Sequence, residues 1–155
     1  MIVSDVMNDK PVTCQMEDSV VEAASLMKKK KISGMPVLDG DRLVGVISES
    51  DILRLFSVED EGQLWLPSPL EIFEIPFRDL LKWEKMHRSI EDVSKKKVSE
   101  VMNRDVHKVG PNDSIQEAAL VMTRHRINRL PVIENGLLVG IVTRGDVITG
   151  LGNVS

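Results

Sequence analysis

The sequence predicts a mixed α/β fold (α+β in type) in which two β-α-β-β-α motifs pack about a pseudo-twofold axis into one module. Three observations predict it: a gap-free internal repeat, a capped amphipathic helix at the same place in each copy, and a hairpin leading to a second helix start in each. Residues 3–54 align on residues 98–149 at a constant offset of 95, with 18 identities over 52 positions. VSDVMNDK matches VSEVMNRD, EDSVVEAASLM matches NDSIQEAALVM, KISGMPVLD matches RINRLPVIE, and LVGVISESDIL matches LVGIVTRGDVI. Self-similarity at a fixed spacing marks repeated units that bury their apolar faces against one another. Half a module of about 50 residues has too little core to stand comfortably alone. The two copies are therefore expected to share one core.

Each element follows in order. Residues 11–14 and 106–109 are taken as first strands. Ser19 with Glu22, and Ser114 with Glu117, are capping boxes that open a helix. Behind them Val20, Ala23, Ala24 and Met27, like Ile115, Ala118, Ala119 and Met122, recur at i, i+3, i+4 and i+7, which gives each helix one buried stripe. Pro36 and Pro131 precede short apolar runs, and Asp39-Gly40-Asp41 or Glu134-Asn135-Gly136 turns each run back into a longer strand over 43–47 or 138–142. Each longer strand ends in a hydroxyl residue and a new helical pattern. The expected organisation is a first motif at 1–56, an aromatic-rich insert with a helix at 57–97, and a second motif at 98–155.

Composition narrows the classes of function. The 155 residues are 42% hydrophobic and 28% charged, the balance of an ordinary globular chain. A formal net charge of -4 argues against a protein built to coat nucleic acid, which leans on a basic surface. Cys14 is alone, so it forms no internal disulfide or cysteine metal cluster, in keeping with a reducing interior. No stretch approaches the roughly 20 apolar residues that span a membrane, and MIVSDVMN carries neither a basic start nor a long apolar run. A cytoplasmic protein without membrane contact is expected. His87, His107 and His125 are scattered and no Walker loop or metal-ligand spacing appears, so no catalytic residue, metal ligand or catalytic cofactor is assigned.

Two motifs recur in register, an apolar-Pro-Val segment after the helix and a G-h-h-S/T-x-x-D closure, where h is apolar, and a Met-x-x-x-x-Val start at Met7 is matched at Met102 with His107 in place of the valine. Together they resemble the CBS domain family, in which two copies form a Bateman module. The likeness covers about 104 of 155 residues, twice the 52 aligned positions. It implies a regulatory sensor that binds AMP, ATP, S-adenosylmethionine or a related adenosyl ligand in clefts between the copies. It also implies a face-to-face homodimer.

The closures GVISESD (45–51) and GIVTRGD (140–146) are the candidate site. In each, a strand delivers a hydroxyl to a helix start, with an Asp three positions later. Free N–H groups at such a turn suit a phosphate, and an ionised carboxylate accepts two hydrogen bonds from a ribose diol. Ser48 and Thr143 are accordingly the phosphate candidates, and Asp51 and Asp146 the ribose candidates. The same spacing is also that of a capping box, in which both side chains merely satisfy the helix's own N–H groups.

By the family match an adenine slot is lined from Met7, Val12, Met35 and Pro36 in the first copy, and from Met102, His107, Leu130 and Pro131 in the second. Ordinary core packing is the alternative for these apolar residues. Just before each Pro-Val segment stand Ser33-Gly34 and Asn128-Arg129. In the gamma subunits of AMP-activated protein kinase, which RINRLPVIE resembles, the matching positions are basic and reach phosphates. Arg129 fits that role by its planar fork, Asn128 departs from it, and Ser33-Gly34 supplies no charge, so unequal sites are expected. Lys28 to Lys31 and Arg124-His125-Arg126 are expected as solvated basic caps of the helix ends, the alternative being that they attract polyphosphate into the cleft or an acidic partner.

All three phenylalanines and both tryptophans (Phe56, Phe73, Phe77, Trp65, Trp83) fall at 55–97, and Phe77, Leu80 and Leu81 mark a helix face there. This segment is expected to pack over the module, serve its dimer contact or dock a partner. Two functions follow from the sequence: a nucleotide sensor acting on a regulated protein on another chain, and a structural dimerisation scaffold with vestigial sites.

Overall fold

The structure, a computed structural model, describes residues 1–56 and 90–154. The expectations for Trp65, Phe73, Phe77, Leu80, Leu81 and Trp83 lie outside the described residues. The first half contains β1 (Cys14–Gln15), α1 (Val20–Lys30), β2 (Gly34–Asp39), β3 (Arg42–Ser48) and α2 (Glu49–Leu53). The second contains α3 (Ile115–His125), β4 (Arg129–Glu134), β5 (Leu137–Thr143) and α4 (Arg144–Gly152).

Both long helices start where the capping boxes place them. Ser19 Oγ accepts from the Glu22 N–H at 3.0 Å while Glu22 Oε2 accepts from the Ser19 N–H at 3.0 Å. Ser114 and Glu117 repeat the exchange at 3.1 Å each way. Val20, Ala23 and Met27 are buried, as are Ile115, Ala118 and Met122. Ala24 departs from expectation: it is exposed, and Ala119 only half-buried, because the i+4 position lies on the flank of the stripe.

The hairpins are antiparallel, β2 with β3 from Gly34↔Ser48 to Asp39↔Arg42, and β4 with β5 from Arg129↔Thr143 to Glu134↔Leu137. The second turn uses Asn135 and Gly136 at φ 52 and 78, the left-handed pair whose twist suits a two-residue hairpin. The strands run further than the apolar runs alone predict, through both prolines. Val46, opposite Pro36, gives its N–H and C=O to Asn103 at 3.0 and 2.9 Å, so β3 asks no N–H of that proline. Ile141, opposite Pro131, is bonded in the same way to Asn8 at 3.0 and 2.8 Å.

Those two asparagines expose an exchange of segments. Val3 and Ser4 donate to Asp113 and Pro111 carbonyls of the second half at 2.8 and 2.9 Å. Val98 and Ser99 donate to Asp18 and Met16 carbonyls of the first half at 2.8 and 3.0 Å. The first core accordingly joins Ala23, Met27, Met35, Val37 and Ile47 to Val98 and Met102, and the second joins Ala118, Met122, Leu130, Val132 and Val142 to Val3 and Met7. The sequence repeat is thus not the packing unit: each half lends its opening segment to the other.

The first strands are shorter than the expected 11–14 and 106–109. Cys14↔Val37 and Gln15↔Leu38 pair in parallel, and the second half has one bridge, Val109↔Val132. Val12, Val106 and His107 leave the ladder and line clefts instead.

Cys14 is 5% exposed, and burial, with Asp18 adding to it, pushes its thiol up to about 12. A raised thiol contributes stability that is complete below the ordinary thiol value and lost as pH climbs from about 9 towards 12. Cys14→Ala is expected to flatten the fall of the melting midpoint over that alkaline window. A thiol-specific disulfide reagent at pH 8 should label Cys14 only after denaturation; rapid labelling of the folded protein would contradict its burial.

Candidate functional site

Two clefts lie between the halves, one of about 960 Å³ and one of about 360 Å³. Volumes in this range suit small molecules of nucleotide size. The larger is lined by Ser48 and Asp51 of the first half together with His107, Asn128, Arg129 and Pro131 of the second. The smaller is lined by Thr143 and Asp146 of the second half together with Val12, Ser33 and Gly34 of the first, and again by Asn128 and Arg129. Each closure therefore faces the strands of the opposite half.

Both closures form the cap that their spacing allows. The Asp51 N–H donates to Ser48 Oγ at 3.3 Å, while Asp51 Oδ2 accepts from the Ser48 N–H at 2.9 Å and its hydroxyl at 3.0 Å. Asp51 Oδ1 accepts from Arg54 Nη2. Asp146 Oδ2 accepts from the Thr143 N–H at 2.8 Å, and the Asp146 N–H donates to Thr143 Oγ1 at 3.2 Å. One oxygen of Asp146 thus serves the cap, and the cap leaves Oδ1 to the cleft.

Arg129 is half-buried between the clefts, with Nη2 donating to Ser33 Oγ. Burial lowers its pKa, and the Glu49 and Asp51 carboxylates oppose that. Gly34, its counterpart in the repeat, explains how it fits. A Cβ on Gly34 would stand 2.6 Å from Arg129 Cζ and 2.9 Å from the Ile47 carbonyl oxygen. The missing charge at 34 and the presence of Arg129 are therefore one steric arrangement.

Five predicted residues, Met7, Met35, Pro36, Met102 and Leu130, line neither cleft. Met35 and Leu130 are 0% exposed, because alternation along β2 and β4 turns them, with Val37 and Val132, under the long helices. Met7 and Met102 pack where a Cβ on Gly140 or Gly45 would meet their sulfur at 2.7 Å, each in the core of the opposite half. Pro36 and Pro131 are both buried, and Pro131 alone also borders a cleft, the larger one.

The basic helix ends divide between the clefts and solvent, and further charged residues join the linings. Arg126 lines the larger cleft and Lys31 the smaller, whereas Lys28, Lys29, Lys30 and Arg124 are exposed and line neither. Lys31 and Arg126 are the left-handed residues ending α1 and α3, at φ 55 and 54, and that bend carries them away from the helix axis. Arg144 lines both clefts, and Arg54 and Asp105 line the larger. His125 stacks on His107 with ring centroids 3.6 Å apart. No spacing rule pairs two histidines 18 residues apart; the stack arises from where α3 ends.

The larger cleft sets Arg54, Arg126, Arg129 and Arg144 against Glu49, Asp51 and Asp105, and the smaller sets Lys31, Arg129 and Arg144 against Asp146. Such linings suit an anion carrying hydroxyl groups. Among the described residues no group of three His, Cys, Asp or Glu side chains is placed to hold a metal ion. Among them, too, no helix is long and apolar enough to cross a membrane.

Two interlocked α+β motifs enclosing paired clefts define a tandem ligand-cleft module. Residues 3–58 and 98–153 each match the CBS domain, and the chain belongs to the CBS domain family. It is 42% identical over 154 residues to the uncharacterized protein MJ1426 of Methanocaldococcus jannaschii, covering 97% of this chain and 91% of that one. Among solved structures it is similar to CBSX2 in complex with AMP, at TM-score 0.73 and 27% identity over 99% of this chain and 98% of that one. It shares the fold of the CBS domain pair of protein MJ0100, solved with 5'-methylthioadenosine and S-adenosyl-L-methionine, at TM-score 0.69 and 22% identity over 100% and 98% of the two chains.

Proposed function

We propose that this chain is a regulatory module that senses an adenine nucleotide or adenosyl ligand and transmits its state to a partner chain. AMP or ATP is favoured and S-adenosylmethionine is the adenosyl alternative. The observation that carries this reading is that each cleft joins a closure carboxylate of one half to strand residues of the other, with Arg129 lining both clefts. A ligand bridging them binds one relative arrangement of the halves more tightly than any other, which is what a sensor requires. The AMP complex of CBSX2 supports the ligand class, and the arginines of the larger cleft favour a phosphorylated member of it.

In this reading Asp51 and Asp146 take ribose hydroxyls, and Ser48, Thr143 and Arg129 face phosphate. Val12, His107 and Pro131 flank the base. Thermal melting with AMP, ATP and S-adenosylmethionine tests it. A ligand at 100 times its dissociation constant adds about 2.7 kcal/mol, or roughly 5–11 °C for a chain of this size. If no adenosyl compound moves the midpoint, the scaffold reading replaces this one.

That second reading rests on apolar side chains left in solvent. Leu53 and Phe56 at the end of α2 are 66% and 42% exposed, and Ile148 and Leu151 on α4, their counterparts at the offset of 95, are 64% and 51% exposed. We assign these exposed residues to a homodimer contact, since exposed apolar patches mark association surfaces. Leu53→Glu with Ile148→Glu is expected to halve the mass in sedimentation equilibrium without lowering helix content. An unchanged mass would remove these residues from the contact.

A further inference from the structure

We propose that Arg129 is one anion anchor shared by both clefts, so that a phosphorylated ligand in one cleft weakens the binding of a second in the other. This regulation rests on the proposed nucleotide reading of the same clefts. Arg129 lines both of them, whereas Arg54 and Arg126 line the larger alone and Lys31 the smaller alone. Its mate across the pseudo-twofold relation is Gly34, which carries no side chain. With Arg129 where it stands there is no room for a second basic residue, because a Cβ at 34 would lie 2.6 Å from Arg129 Cζ and 2.9 Å from the Ile47 carbonyl oxygen. The axis therefore holds one guanidinium where two equivalent sites call for two.

Arg144 also lines both clefts, but it is exposed, so solvent and salt screen its charge. Arg129 is half-buried, faces Glu49 and Asp51, and is tethered to Ser33 of the opposite half. A phosphate that takes its planar fork in one cleft gains a charge-assisted pair of bonds and turns the fork from the other. The second phosphate then binds without that contact, which weakens it about 10- to 100-fold. An uncharged adenosyl ligand makes no demand on the fork and fills the second cleft unhindered. The module would thus hold one phosphorylated and one neutral ligand.

Isothermal titration calorimetry with AMP and with adenosine tests this, using the full chain and the single-cleft variants Asp51→Asn and Asp146→Asn, each of which weakens ribose binding in one cleft and leaves the other cleft intact. Asparagine keeps a cap acceptor, and melting curves verify that each variant folds. Each single-cleft variant is expected to bind one AMP tightly. The wild-type protein should bind a first AMP equally well and a second about 10- to 100-fold more weakly. Adenosine should show no such gap, and Arg129→Met, which keeps the apolar stem, should abolish the gap by weakening AMP in both clefts. Two AMP molecules bound to wild type as tightly as to the single-cleft variants would overturn the sharing. So would an AMP gap that survives Arg129→Met, or one single-cleft variant whose AMP affinity Arg129→Met leaves unchanged. Adenosine binding without AMP binding would overturn the shared anchor and leave the adenosyl reading standing. Binding of neither would remove that reading and this inference together.

Discussion

Gly140→Ala is expected to destabilise the protein by about 1–3 kcal/mol, the usual cost of forcing an atom into a packed site, and so to lower Tm by roughly 3–10 °C. A Cβ there would stand 2.9 Å from the Asn8 carbonyl oxygen and 2.7 Å from Met7 Sδ. The thioether can swing aside, but the Asn8 carbonyl accepts from the Ile141 N–H at 3.0 Å and cannot move without breaking that bond. Gly45→Ala meets the same obstacle at Asn103 O, at 2.9 Å. Because the two glycines serve opposite halves, their costs are expected to add. Amide hydrogen exchange locates the damage: Gly140→Ala should speed exchange at Asn8 and leave Asn103 protected, and Gly45→Ala the reverse. Gly152, with nothing within 4 Å of a Cβ, is the control, and Gly152→Ala should leave the midpoint nearly unchanged. Midpoints unmoved by all three substitutions would mean that the asparagine segments are not seated on the strands.

The same glycines show how far the sequence could be read. Local signals were legible because they act over three or four residues: Ser19 with Glu22 and Ser114 with Glu117 open their helices, and Asn135-Gly136 closes a hairpin. The exchange of opening segments was not legible. Val3 and Val98 are identical in the repeat, so no pattern distinguishes docking on one's own half from docking on the other. That ambiguity carried Met7 and Met102 into the expected slots. Strand parity decided the rest, turning Met35 and Leu130 under the helices while Gly34 and Arg129 face the clefts. The inequality of the two copies was visible in Ser33-Gly34 against Asn128-Arg129. Its cause, one position at the axis with room for one side chain, needed three dimensions.

Asp146 separates the two meanings of the Thr-x-x-Asp closure, and replacing it by Ala and by Asn should give different results. Asp146 Oδ2 accepts from the Thr143 N–H at 2.8 Å, so Asp146→Ala removes half of a capping box. That loss costs about 1 kcal/mol, or roughly 2–4 °C in Tm. Asn keeps a carbonyl oxygen for the same N–H, so Asp146→Asn is expected to melt close to wild type. Ligand binding should respond to both. A ribose diol needs an acceptor for each of two O–H donors, and a neutral amide presents one oxygen where the carboxylate presents two. Losing a hydrogen bond to a charged group costs about 1.5–3 kcal/mol, which predicts roughly 10- to 100-fold weaker adenosyl binding in the smaller cleft for either variant. Asp51 differs, because its Oδ1 already accepts from Arg54. A ribose in the larger cleft must share that oxygen, so Asp51→Asn is expected to cost less affinity than Asp146→Asn. Wild-type affinity in Asp146→Asn would reduce the closure to a helix cap, and an equal loss from both asparagines would show that Arg54 does not compete for the ribose.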